Sequence, residues 1–152
     1  MDFDEKHSGK RLVENVLSER KAREYRPIPE GTERIVKEVI DACFSVHSET
    51  GTGLLESVYE DCLFEELRLR GIFSESQVDI PLNYKGVRIG SRLRLDLLVE
   101  NQIIVEIKSI ESILPVHKSQ LITYLKLSGN RIGLIVNFNT PHLRDGISRI
   151  VY

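Results

Sequence analysis

The stretch from Arg92 to Ser109, RLRLDLLVENQIIVEIKS, constrains this chain more than any other. Leu93, Leu95, Leu97 and Val99 alternate with other residues, and so do Ile103, Val105 and Ile107. That period of two predicts two strands with one apolar face. The opposite face carries Arg94, Asp96 and Leu98 on the first strand, and Ile104, Glu106 and Lys108 on the second. A slip of one residue would turn one apolar set to the wrong side, so pairing must respect the parity. Two loops do so. If Glu100 to Gln102 turn the chain, Leu98 faces Ile104 and Asp96 faces Glu106. If Glu100 to Ile104 turn it, Asp96 faces Lys108 as an ordinary cross-strand ion pair, but Ile103 and Ile104 are stranded in a loop. In the first case two carboxylates meet across the sheet. They repel unless something positive lies between them, and a divalent cation suits carboxylate oxygens.

The chain on either side reads as alternating helices and strands. Residues 1–31 are charge-rich and close on Pro27-Ile28-Pro29; Leu12, Val13, Val16 and Leu17 have helical spacing there. Thr32 suits an N-cap, and Ile35, Val36, Val39, Ile40, Cys43, Phe44 and His47 then form one helical stripe as far as Ser48. Glu49-Thr50-Gly51-Thr52-Gly53 turns the chain, with two glycines free to take positive φ. A second helix runs from Leu55 to Arg70, with Leu55, Val58, Cys62 and Leu69 expected on its buried side, Tyr59, Leu63 and Leu67 close by, and Gly71 as its C′ residue. Glu56, in its first turn, suits the helix dipole. Gln77 to Tyr84 alternates as a strand whose Pro81 points to an edge or bulge. Lys85, Arg88, Arg92 and Arg94 follow with no acid between Asp79 and Asp96. They form either a phosphate-facing strip or a solvated strand edge. A third helix runs from Pro115 to Ser128, capped by Gly129, with Leu121, Ile122, Leu125 and Leu127 as its apolar side and His117, Gln120 and Tyr124 on one stripe. Arg131 to Phe138 reads as a doubly buried strand. Asn139-Thr140-Pro141 is a turn, and Ile147 to Tyr152 a last short strand.

Composition narrows the class. The 152 residues carry a formal net charge of −2, so bulk charge gives no argument for nucleic acid, and any basic surface must be local. Cys43 and Cys62, the 2 cysteines, lie on apolar helix stripes and read as buried thiols of a reducing, cytoplasmic setting. No apolar run reaches membrane-spanning length, and the N-terminus MDFDEKHSGK is unlike a secretory signal. The element order predicts an α/β domain with a mixed central sheet and helices on both sides.

Asp96, then Glu106-Ile107-Lys108 after a short turn, resembles the D…(D/E)xK core of the PD-(D/E)XK nuclease superfamily, with Leu95 in place of the proline. Gly53-Leu54-Leu55-Glu56-Ser57-Val58-Tyr59 is similar to the signature of the small prokaryotic GxxExxY family within it, although Thr52 stands where members often carry proline. Gln120-Leu121-Ile122-Thr123-Tyr124 is similar to the QxxxY element of the RecB-type and lambda-exonuclease-type branches. The resemblance spans Thr32 to Val151 and implies a restriction-endonuclease-like core over residues 32–152, with residues 1–31 as an extension. It implies a metal-dependent nuclease that hydrolyses phosphodiester bonds. Asp96, Glu106, the Ile107 carbonyl and Glu56 would hold Mg²⁺ or Mn²⁺, and Lys108 would orient or activate the attacking water. Gln120 and Tyr124 would support the substrate or Lys108. Nucleic acid is the implied partner, DNA ahead of RNA. The alternative is a non-catalytic module on the same fold that binds nucleic acid or protein.

Overall fold

The computed structural model describes residues 26–90 and 93–152. Helix α1 (Glu30–Thr50) and helix α2 (Glu56–Leu69) come first. Strand β1 (Ser74–Asp79) follows, then a short ribbon, β2 (Leu82–Tyr84) and β3 (Val87–Ile89). Next come β4 (Arg94–Val99), β5 (Ile103–Lys108), α3 (Pro115–Ser128), β6 (Ile132–Asn137), a 3-10 turn (Leu143–Gly146) and β7 (Ile147–Val151). The main sheet has the order β1-β4-β5-β6-β7, and β2 pairs only with β3. β5 and β6 run parallel, joined through α3; the other neighbours are antiparallel. The result is a mixed five-stranded sheet flanked by helices, as in restriction-endonuclease-like cores. No helix among the described residues is long and apolar enough to cross a membrane.

Two clusters of buried side chains divide at the sheet. α1 and α2 cover one face with Val36, Val39, Cys43, Tyr59, Leu63 and Leu67, against Leu97, Val105, Ile107, Leu134 and Val136. α3 covers the other with Leu121, Tyr124 and Leu125, against Leu95, Ile104 and Ile135. All six residues of β6 are buried, as a strand covered on both faces must be. Gly133 lets α3 approach closely: a Cβ there would lie 2.7 Å from Leu121 Cδ1.

Several expectations need correction. α1 begins at Glu30 with Pro29 at its N-cap position; Thr32 lies inside it, its hydroxyl donating to Gln102 Oε1 at 2.6 Å. α2 turns a different stripe inward. Tyr59, Glu60, Leu63 and Leu67 are buried, whereas Leu55, Val58 and Leu69 are exposed and Cys62 is half-buried. Tyr59, Leu63 and Leu67 follow i, i+4, i+8, with Glu60 beside them, and docking against α1 selected this stripe. Phe44 and Ile122 also face outward. α2 does end at a Schellman motif, with Ile72 N–H to Leu67 O at 2.9 Å and Gly71 N–H to Arg68 O at 3.0 Å. The strand expected over Gln77 to Tyr84 is two strands in two sheets. Proline at 81 has no N–H to donate, and Ile80 turns into the α3 cluster. The helical spacing at Leu12 to Leu17, and Arg92, lie outside the described residues.

Candidate active site where a hairpin opens

The shorter loop is the one that forms. Leu97 pairs with Val105, Leu98 with Ile104 and Val99 with Ile103, and Glu100 and Asn101 turn the chain at φ of 50° and 54°. Extending that register puts Asp96 opposite Glu106, but the β4–β5 ladder stops one pair short of them. Side chains replace the missing backbone bonds. The Asp96 N–H donates to Glu106 Oε1 at 3.3 Å, and the Ile107 N–H donates to Asp96 Oδ2 at 2.8 Å.

The electrostatics follow from burial. Glu106 is only 5% exposed, and burial, with the neighbouring Asp96 charge second, pushes its carboxyl up to about 8. Burial likewise raises the Asp96 carboxyl, opposed by the Ile107 N–H and the Lys108 ammonium. Two such groups cannot both stay charged without a positive partner, so near neutrality the pair holds a proton between them. Hard oxygen donors that hold a proton in this way fit a divalent cation in its place. Among the described residues, no group of three or more His, Cys, Asp or Glu side chains is placed to hold a metal.

The other expected residues fall around this pair unequally. Lys108 is half-buried at the end of β5, and its charge acts on both carboxyls. Ile107 has its side chain in the core. Tyr124 faces the pair from α3: burial and then the Glu106 charge raise its hydroxyl, which accepts a 2.7 Å bond from Gln120 Nε2. Glu56 is exposed at the start of α2. It acts on Asp96 through space, but its own Oε1 accepts the Ser109 N–H at 3.2 Å. Asp96 and Glu106 are therefore joined directly, with Lys108 and Tyr124 beside them, and Glu56 sits one step away. His117 is engaged elsewhere: its Nδ1 accepts the Leu114 N–H at 2.9 Å, closing the first turn of α3. Tyr59 is wholly buried, stacked on Phe138 with ring centroids 4.5 Å apart, and donates to Gly51 O at 2.6 Å. It shapes the turn before Glu56 from within the core.

Three polar residues around the site escaped the sequence. Asn137 is buried beside Lys108 and bonds both the N–H and the carbonyl of Ile110, fixing the chain just after β5. Ser109 Oγ donates to Leu54 O at 2.7 Å. Glu60 is buried in α2 and is bonded by Ser76 and Gln77. The signal for Glu60 was present in its i, i+3, i+7 spacing with Leu63 and Leu67. A groove of about 910 Å³, lined in part by Arg26, Ile28, Arg131, Arg149 and Tyr152, includes none of these residues.

A mixed sheet opening at a carboxylate pair, with a lysine two residues further along the strand, defines a nuclease-like domain of the restriction-endonuclease type. The family comparison agrees at the level of the superfamily. A model of the PD-(D/E)XK nuclease superfamily matches residues 33–150, most of the chain, and the protein belongs to that superfamily. A solved protein, SSO0001, shares the fold with a TM-score of 0.51 at 19% identity, over 92% of this chain and 77% of its own. No curated protein sequence matches.

Proposed function

We propose that this protein is a metal-dependent nuclease of the GxxExxY type, hydrolysing phosphodiester bonds of nucleic acid. One observation carries the reading: the buried Glu106 and the half-buried Asp96 meet where the ladder opens, with the Lys108 charge beside them. Nothing in folding requires two repelling acids there, and burying a charge is costly unless it is paired. Asp96 and Glu106 would hold Mg²⁺ or Mn²⁺, with the Ile107 carbonyl and, after a turn of its exposed side chain, Glu56. Such an ion supplies a bound water of lowered pKa and draws charge from a phosphate oxygen.

The remaining work falls to this chain's own side chains. The compact ammonium of Lys108 orients the attacking water or offsets charge developing on the phosphate. Tyr124, held by Gln120, presents a hydroxyl that supports Lys108 or a phosphate oxygen. The β2–β3 ribbon, which precedes the Asp96 strand in the chain, adds a substrate surface. Lys85 lies 5.5 Å over the ring of the exposed Tyr84, and Arg88 is exposed on the facing strand. Arg94 contributes less to that surface, because Asp79 already pairs with it at 2.9 Å. DNA is the preferred substrate.

One observation favours a second reading, a binding module without turnover: the described residues form no three-carboxylate cluster. Single-turnover cleavage of labelled single- and double-stranded DNA and RNA, with Mg²⁺ or Mn²⁺, separates the two. The nuclease reading expects metal-dependent cleavage. Binding without cleavage of any substrate favours the module.

A further inference from the structure

β1 and β4 pair in regular register, Ser76 with Leu97 and Val78 with Leu95, so Gln77 falls opposite Asp96. Both strands change face at this point. Leu97 and Val99 pack under α1 and α2, but Leu95 and Leu93 pack under α3, against the strict alternation of the sequence. On β1, Ser76 turns toward α2, where its hydroxyl donates to Glu60 Oε1 at 3.0 Å, and Val78 turns toward the α3 cluster. Gln77 makes the switch with a φ of 54°, a left-handed conformation that few residues other than glycine adopt and that the surrounding structure must enforce. Its side chain is turned to α2 as well, and its Nε2 donates to both Glu60 oxygens, at 2.8 and 3.0 Å. Glu60 is 9% exposed, and these donors are what it has in exchange for water.

We infer that Glu60 is a positioning residue. By gripping Ser76 and Gln77 it holds the left-handed turn at Gln77, and that turn rotates the facing strand so that Asp96 leaves the ladder and points its carboxylate to the Ile107 N–H and Glu106. This inference rests on the proposed function for its consequence in cleavage, but its geometry stands without it. The sheet bends at Asp96 because α2 holds the opposite residue of the neighbouring strand. Asp96 owes its place to a helix it does not belong to.

The test reads the Ile107 amide, which donates to Asp96 Oδ2 at 2.8 Å. In wild type its proton resonance should lie downfield and exchange slowly. Glu60→Ala should move it upfield and speed its exchange at least tenfold relative to the amides of β6. Glu60→Gln should keep both near wild type, because one amide oxygen can accept from Ser76 and Gln77 alike. Gln77→Ala, at an exposed position of the edge strand β1, should reproduce the Glu60→Ala effect. In single-turnover cleavage, Glu60→Ala and Gln77→Ala should slow the chemical step while substrate affinity holds, and Glu60→Gln should restore it. Unchanged Ile107 protection in both alanine variants would overturn the inference, whatever the cleavage assay shows. Equal loss in Glu60→Gln would also overturn it, by making the charge of Glu60 and not its grip the agent. If the amide responds as expected and no variant or wild type cleaves anything, the positioning holds and the nuclease reading fails.

Discussion

Replacing Glu106 with glutamine should remove a pH dependence that this buried carboxyl and its Asp96 neighbour impose on folding. The Glu106 carboxyl rises from its ordinary 4.5 to about 8, through burial and then the Asp96 charge, and Asp96 moves in the same direction. The folded protein therefore keeps a proton over a range in which the unfolded chain has released it. The stability this confers is fully present below the unfolded values and is lost as pH climbs toward about 8. One retained proton gives a slope of about 1.4 kcal/mol per pH unit. Across the interval from 4.5 to about 8 the ceiling is ~5 kcal/mol. Relaxation and water around the pair bring the expected loss to about 2–4 kcal/mol. Urea unfolding in EDTA, at steps from about pH 5 to pH 9, measures it. Glutamine keeps an acceptor for the Asp96 N–H, so the two proteins should be similar in acid, and the variant should be the more stable at the alkaline end. Parallel curves for wild type and Glu106→Gln would refute the argument, and a wild type that gains on the variant as pH rises would reverse its sign.

The remaining tests address the ion, the lysine and the packing. Saturating Mn²⁺ at about 100 times its dissociation constant should stabilise wild type by ~2.7 kcal/mol, read as a rise in melting temperature. Asp96→Asn should lose most of that rise, and an equal response in both proteins would place the ion elsewhere. Lys108→Ala should slow single-turnover cleavage about 10²–10³-fold while leaving the fold and the Mn²⁺ response intact, and Lys108→Arg should not fully restore the rate. Cleavage at the wild-type rate would remove Lys108 from the mechanism. Tyr59→Phe keeps the stack on Phe138 but loses the 2.6 Å bond to Gly51 O, so denaturant unfolding should show a cost of about 1–2 kcal/mol. Gly133→Ala sets a methyl 2.7 Å from Leu121 Cδ1; a melting temperature equal to wild type, in place of a loss of about 1–3 kcal/mol, would mean that α3 shifts freely.

Local rules account for what was legible in the chain itself. Period-two alternation fixed the parity of the hairpin, because a one-residue slip would expose a whole apolar face, but it left two loops open, and only the structure chose the shorter one that brings Asp96 to Glu106. Pro115 and Gly129 bounded α3 correctly, since a missing N–H suits a first turn and a left-handed cap suits glycine. The unbroken apolar run of β6 announced its central place. What the chain could not announce is which stripe of a helix or strand meets another element. α2 could bury either of two overlapping stripes, and only α1 and the sheet beside it selected Tyr59, Glu60, Leu63 and Leu67. Leu93 and Leu95 alternate in step with Leu97, yet they serve the opposite cluster, because Gln77 on the neighbouring strand turns left-handed under the hold of Glu60. Spacing along a chain specifies an element and its period. The direction of each face is a property of what packs against it, and here that packing sets the carboxylate at the centre of the site.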